Sequence, residues 1–295
     1  MPNSEPAIAP RFGPGSRVAV IAGSGRLPVD VAEALAQQGR EPFILKVEGE
    51  VDREADFARF DQASIRLEEV GLLPAVFRRH GITHVVLAGG IARRPALRRL
   101  KPTLALLRVI PTVIAGLAGG DNKVLSALIR CMKVWGVEVV GVHEIVPELL
   151  APVGPIARTQ PLESDRRDLA AAFAAAKAIG GLDVGQAAIA IGGRAVELEG
   201  IDGTAGLLER TKSVRSHGRL AGRARGVLVK AAKPDQELRA DLPSIGPDTV
   251  DAAHAAGLAG IGLEAGMALI LESAETVARA DRLGLFIVGL GPDGR

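Results

Sequence analysis

The sequence predicts an α/β protein: a parallel sheet wrapped by helices, followed by a second α/β domain with a mixed sheet. Three observations carry this. Short apolar runs of the buried-strand type alternate with helical patterns through the first half. Aromatic residues are only 3% of 295, with no tyrosine and one tryptophan. The cores are therefore built from Val, Leu, Ile and Ala, as in parallel sheets flanked by alanine-rich helices. In the second half adjacent strands mix with crossovers, which predicts strands of both directions.

The elements follow in order. RVAVIA (17–22) reads as the first strand. A helix follows, with Leu27, Val31, Ala34 and Leu35 on one face, Pro28 in its first turn and Gly39 at its end. PFILKV (42–47) is the second strand, and Leu72, Leu73, Val76 and Phe77 mark a helix that stops near His80-Gly81. HVVLAGG (84–90) is a further strand. The next helix starts near Asp121, a plausible N-cap, and VEVVGVH (137–143) closes the first half. The prolines of LLAPVGPIARTQPLESDR break all periodicity and predict a linker. An alanine-rich helix (about 166–179) restarts the pattern. A hairpin is expected around Gly192-Gly193, with AAIAI and RAVELE as its arms. Next come a short helix (about 204–211), the strand GVLVKAA (226–232) and a helix (248–256). Strands near 259–263 and 268–273, a helix (274–283) and the strand LFIVGL (285–290) complete the chain. The domain reading is a disordered tail over 1–16, an N-terminal domain over 17–148, a linker over 149–165 and a C-terminal domain over 166–295.

Composition excludes several functions. Hydrophobic residues at 47% and charged residues at 24% belong to a globular chain with real cores. The scarcity of aromatic residues argues against a base-stacking nucleic-acid module. A net charge of +2 decides little, although Arg93, Arg94, Arg98 and Arg99 cluster. Cys131, the one cysteine, excludes a disulfide framework and reads as a core residue. The five histidines show no zinc-ligand spacing. The start shows no secretory signal and no run spans a membrane, so the expected location is the cytoplasm.

Candidate chemistry lies in a few turns. Gly23-Ser24-Gly25 joins the first strand to the first helix, where glycines admit an anion to helix N–H groups. This suits a phosphate, a nucleotide or, despite the missing third glycine, a nicotinamide cofactor; a plain tight turn is the bland alternative. Glu48 and Glu50 are the acids after the second strand. Ala88-Gly89-Gly90, with Arg93 and Arg94 beyond, shares the same carboxyl edge, as does Gly119-Gly120-Asp121-Asn122. Asp121 is an N-cap or a ligand for substrate or metal. EGIDGTAGLLER (199–210) sets Gly203-Thr204 before a helix, as a cap or a second anion site. Residues 230–247 crowd Lys230, Lys233, Asp235, Gln236, Glu237, Arg239 and Asp241 into one irregular stretch. Asp241 precedes LPSIGP, whose Pro and Gly fix the backbone. A held carboxylate among cations serves as a general base or binds Mg²⁺, whereas a solvated loop is the alternative.

In order along nearly the whole chain, eight stretches resemble the UDP-2,3-diacylglucosamine diphosphatases of the LpxI type. They are IAGSGRLP (21–28), LAGGIARRP (87–95), GDNKVL (120–125), HEIVPELLAPVG (143–154), GLDVGQ (181–186), IDGTAGLLER (201–210), KAAKPDQELRADLPSIG (230–246) and GLAGIGLEAG (257–266). The resemblance implies hydrolysis of a lipid-linked nucleotide sugar to UMP and 2,3-diacylglucosamine 1-phosphate, as a step of lipid A synthesis in Gram-negative bacteria. It implies a divalent cation such as Mg²⁺ and water attack at the sugar-side phosphorus. It also implies an N-terminal Rossmann-like domain, a C-terminal α/β catalytic domain, ligand held between the two, and a homodimer formed through the C-terminal part. Asp241 falls on the family's essential aspartate. Gly23, Ser24, Gly25, Gly89, Asp121, Gln186, Gly203, Thr204, Lys230 and Lys233 fall in matching motifs as substrate contacts, and Asp241 and Asp121 are the metal candidates. The substrate implies peripheral membrane contact at the inner face of the inner membrane. Two positions depart from the family pattern: Ala205 stands where it has a carboxylate, and Gly90 where it has an asparagine. A nicotinamide-dependent oxidoreductase and a non-catalytic nucleotide-sugar or lipid-binding protein are the competing readings.

Overall fold

The computed structural model describes residues 12–13, 15–93, 97–117, 121–220, 222 and 225–295. Its chain separates into two compact units, Met1–Pro147 with Glu237–Asp241, and Glu148–Gln236 with Leu242–Arg295.

In the first unit β1 (Val18–Ala22), α1 (Leu27–Gln37), β2 (Phe43–Val47), β3 (Asp61–Ile65), α2 (Leu73–Arg79) and β4 (His84–Ala88) come first. Then come α3 (Leu104–Leu107), α4 (Ile110–Leu117), α5 (Asp121–Val134), β5 (Glu138–Val140) and α6 (Val142–Ile145). The strands form one wholly parallel sheet in the order β3-β2-β1-β4-β5. Its direction of growth reverses between β1 and β4, and the carboxyl ends of those two strands therefore flank the switch point where such sheets bind ligands. Ala19 and Ile21 of β1 and Phe43, Leu45 and Val47 of β2 alternate onto one face. There they bury against Phe77 of α2 and Ile129 and Met132 of α5. β3 adds an edge strand to this frame. α3 and α4 fill the span before Asp121, where no element is predicted. Of the expected disordered tail over 1–16, residues 1–11 and 14 lie outside the described residues. Phe12 is buried, with the Arg40 guanidinium 4.4 Å from its ring centroid.

The second unit takes in the whole of the expected linker. β6 (Gly154–Pro155) pairs antiparallel with the last strand. It is followed by α7 (Glu163–Gly181), β7 (Ala187–Ala190), β8 (Ala195–Leu198), α8 (Gly203–Val214), β9 (Val227–Lys230) and β10 (Ser244–Ile245). α9 (Pro247–Ala255), β11 (Gly260–Glu264), β12 (Leu269–Ile270), α10 (Ser273–Leu283) and β13 (Phe286–Leu290) complete it. The sheet is mixed, in the order β6-β13-β11-β9-β7-β8, and β10 and β12 form a separate parallel pair. Period-two alternation divides the core. Leu228, Ile189, Ile261 and Ile287 face α8 and α9, whereas Val227, Val229, Phe286 and Val288 face Leu169, Ala172 and Phe173 of α7.

Candidate functional site

The glycine turns of the first unit lock together. Gly23 N–H donates to the Ala88 carbonyl at 2.9 Å, and Ser24 N–H to the Gly90 carbonyl at 2.9 Å. Gly90 N–H returns to the Ser24 carbonyl at 3.1 Å, so Ser24 and Gly90 form an isolated antiparallel bridge. A Cβ on Gly23 would lie 2.2 Å from the Gly90 oxygen, and Gly89 sits at φ +87 with the Ser24 oxygen 2.5 Å from its own would-be Cβ. The glycines therefore admit one backbone to another. Gly25 N–H is also engaged, by Asp52 Oδ1 at 3.0 Å, so a carboxylate of the chain stands where an anion is expected. Glu50, one of the two acids expected after β2, is buried, accepts Ala92 N–H at 2.8 Å and pairs with Arg93 at 3.1 Å. The loops after β2 and β4 are thus fastened across the sheet edge. Arg94, Gly119 and Gly120 lie outside the described residues. At the Gly90 departure, an added Cβ would meet the Ser24 hydroxyl at 2.8 Å, and that hydroxyl already donates to the Gly90 carbonyl.

The short segment Glu237–Asp241 belongs to this first unit. It is a turn in which Ala240 N–H and Asp241 N–H both donate to the Glu237 carbonyl, at 2.9 and 3.1 Å. Glu237 N–H donates to Asn122 Oδ1 at 2.9 Å, and Ala240 packs against the core. Arg239 grips the Glu237 carboxylate through two bonds of 2.8 and 2.7 Å, which lowers the Glu237 pKa and raises that of the guanidinium. The half-buried Asp241 is thereby held on an ordered backbone. Asp121 opens α5, beside Asn122 in sequence.

In the second unit the sheet register gathers the candidates. Lys230 ends β9, opposite Ala187 of the antiparallel β7 and Leu263 of the parallel β11. Gln186, just before β7, and Glu199, just after β8, therefore share its edge. Lys230, 6% exposed, donates to Thr204 Oγ1 at 2.9 Å and to the Ser244 carbonyl at 2.9 Å. Thr204 in turn donates to Glu199 Oε1 at 2.7 Å. Glu199, 7% exposed, accepts Gln186 N–H at 2.8 Å through its other oxygen. The Gln186 side-chain oxygen accepts from Gln236 at 3.2 Å, and Gln236 accepts Lys233 N–H at 2.8 Å. The Lys233 ammonium pairs with Asp183 at 2.5 Å. Gln186, Thr204, Lys230 and Lys233 thus join one hydrogen-bonded chain, and Gly203, at a φ of +66, opens α8 just before Thr204. Ala205 is exposed in the first turn of α8. Glu199 is the member that sequence reasoning passes over. Its only signal is its place in EGIDGT, as a strand's last acid before a glycine turn.

Among the described residues no group of three or more His, Cys, Asp or Glu is placed to hold a metal ion. The described residues therefore form no closed cation cage. A Mg²⁺ that shares its shell with substrate phosphates and waters needs only one or two carboxylates, and Asp241 fits that more limited part.

Fold and site together define a class: two-unit α/β proteins whose C-terminal sheet edge presents a buried lysine tied to a hydroxyl and a carboxylate. Comparison with known proteins narrows this to one family. The LpxI N-terminal domain matches residues 17–149 and the LpxI C-terminal domain matches residues 152–288, and the chain belongs to the LpxI family. It is 35% identical over 281 residues to the UDP-2,3-diacylglucosamine pyrophosphatase LpxI of Caulobacter vibrioides, covering 95% of this chain and 99% of that one. Among solved structures, the CobK precorrin-6A reductase aligns over 94% of this chain and 88% of its own at 11% identity, with a TM-score of 0.30, too low to bear on the fold.

Proposed function

We propose that this chain hydrolyses the diphosphate bond of UDP-2,3-diacylglucosamine, giving UMP and 2,3-diacylglucosamine 1-phosphate. The observation that carries the reading is the 35% identity to the Caulobacter pyrophosphatase along almost the full length of both chains. The residues present suit the chemistry. A diphosphate needs fixed positive charge where negative charge develops, and the Lys230 ammonium is pinned by Thr204 and Ser244 rather than swinging on its stem. The Thr204 proton is directed at Glu199, so the hydroxyl offers Lys230 its lone pair and fixes the ammonium's direction.

Asp241 takes the proton of the attacking water. The new bond forms between water oxygen and the sugar-side phosphorus; the bond from that phosphorus to the bridging oxygen breaks, and UMP leaves with the electron pair. Asp241 is the residue that would hold a Mg²⁺ beside the substrate, and the ion would supply charge neutralisation there. In this reading the enzyme is a cytoplasmic homodimer acting in lipid A synthesis, a proposal that rests on the sequence motifs. The test is direct: incubation with UDP-2,3-diacylglucosamine and Mg²⁺ releases UMP from the wild type, and Asp241→Ala releases none. UMP release at the wild-type rate by Asp241→Ala refutes the role of that residue, and no release by the wild type refutes the reaction.

A further inference from the structure

We propose that the outer surface of α3 and α4 docks on an anionic lipid bilayer. Leu106 and Val109 anchor this segment, buried against Cys131 of α5. The opposite side ought then to be polar, as on an ordinary surface helix. Instead Leu104, Leu107, Ile110 and Ile114 point outward, 78, 55, 37 and 62% exposed, with Pro111 exposed among them. Leu104 and Leu107 lie three residues apart, and Ile110 and Ile114 four, so each pair shares a helical face. Helices apolar on both sides are stable where the outer side meets apolar matter, and contiguous exposed aliphatic residues mark such contacts.

Charge selects the occupant. Between Glu69 and Asp121 the sequence contains no Asp or Glu, and Arg93, Arg94, Arg98, Arg99, Lys101 and Arg108 all fall within that stretch. Arg93 and Lys101 are paired with acids of the preceding elements. Arg98, Arg99 and Arg108 are exposed, and none forms a salt bridge with a described residue. Exposed aliphatic side chains, in a stretch of sequence whose exposed arginines have no acidic partner among the described residues, combine the two signals that hold a protein on a negatively charged bilayer. A second copy of this chain would bring the same cations face to face. Among the described residues no helix is long and apolar enough to cross a membrane, so the contact lies at the surface. The inference does not rest on the proposed reaction, because vesicle binding is read without turnover. A lipid-linked substrate gives it a use.

The experiment is flotation of the full chain with vesicles of phosphatidylcholine alone and of phosphatidylcholine mixed with phosphatidylglycerol. The wild type floats with the mixed vesicles at low salt, floats far less with the neutral ones, and is released as salt is raised. Arg98→Gln and Arg99→Gln each weaken binding about fivefold, and Leu107→Asp with Ile114→Asp weakens it roughly tenfold or more. The Trp135 indole donates to the Ala105 carbonyl at 3.2 Å, so unchanged fluorescence without vesicles shows that the segment is still folded. If the aspartate variant alters that signal, the two arginine variants decide. Equal flotation with both vesicle types, no flotation of the wild type, or variants that float like it would overturn the proposal. A wild-type dimer that Leu107→Asp dissociates, without vesicle binding, would assign the surface to a second copy of the chain instead.

Discussion

Thr204→Val, set against Thr204→Ser, tests whether the hydroxyl joins Lys230 to Glu199. Valine keeps the shape and removes both bonds, the 2.7 Å donation to Glu199 and the 2.9 Å acceptance from Lys230. Both involve a charged partner, for which a lost bond costs about 1.5–3 kcal/mol. Two at the lower end sum to about 3 kcal/mol. Thr204 is only half-buried, so water replaces part of the loss, and about 2 kcal/mol remains. For a unit of this size that lowers Tm by ~4–8 °C. Serine retains the hydroxyl and stays within about 1 kcal/mol of wild type. The assay is thermal and urea unfolding by circular dichroism, followed together with Trp135 fluorescence. The chain has one tryptophan and no tyrosine, and Trp135 lies in the first unit, so its fluorescence follows that unit separately from the circular dichroism of the whole chain. A valine variant as stable as wild type, or a serine variant as destabilised as the valine one, refutes the network.

Other outcomes follow from the same geometry. Gly23→Ala sets a methyl 2.2 Å from the Gly90 carbonyl oxygen, a backbone atom with little room to yield. It destabilises the first unit by about 1–3 kcal/mol, read as an earlier Trp135 transition. Burial alone would raise the Asp165 pKa, but bonds from Arg225 at 2.8 and 2.6 Å and from Leu162 N–H outweigh it, and the net shift is downward. A carboxyl whose folded pKa is depressed stabilises above its unfolded pKa of about 4 and loses that contribution as pH falls through the folded value. The stability gap between wild type and Asp165→Asn, about 2 kcal/mol at neutral pH, therefore narrows below about pH 4 in urea titrations. With no cluster of three metal-ligating side chains among the described residues, chelation with EDTA stops UMP release and leaves the unfolding midpoint in place.

Much of the fold was legible because buried parallel strands announce themselves. Val18–Ala22, Phe43–Val47, His84–Ala88 and Phe286–Leu290 are short apolar runs bounded by turns, and each forms the expected strand. β3 was not legible: Asp61–Ile65 is an edge strand with polar residues on both faces, so no alternation marks it. The prolines of 149–165 hide β6, because a two-residue pairing leaves no periodicity to read. ALILES reads as a full strand, yet only Leu269–Ile270 pair, with the equally short β10. In the site, the residues drawn from Gly-Thr and Lys-rich motifs converge on one sheet edge because strand register places Lys230 opposite Ala187. Glu199 was illegible because a strand-ending acid looks like a solvated one until it is seen to be buried with two donors converging on it. The first glycine turn teaches the reverse lesson. Its sequence suits an anion, but its N–H groups bind Ala88, Gly90 and Asp52, contacts that only tertiary structure reveals.

The central claim is tested most directly by the products formed from UDP-2,3-diacylglucosamine and Mg²⁺, resolved by mass spectrometry with the reaction run in ¹⁸O-water. The account predicts UMP without label and 2,3-diacylglucosamine 1-phosphate carrying one heavy oxygen, with neither product formed by Asp241→Ala. Label in UMP would contradict attack at the sugar-side phosphorus, and intact substrate after incubation with the wild type would contradict the proposed function itself.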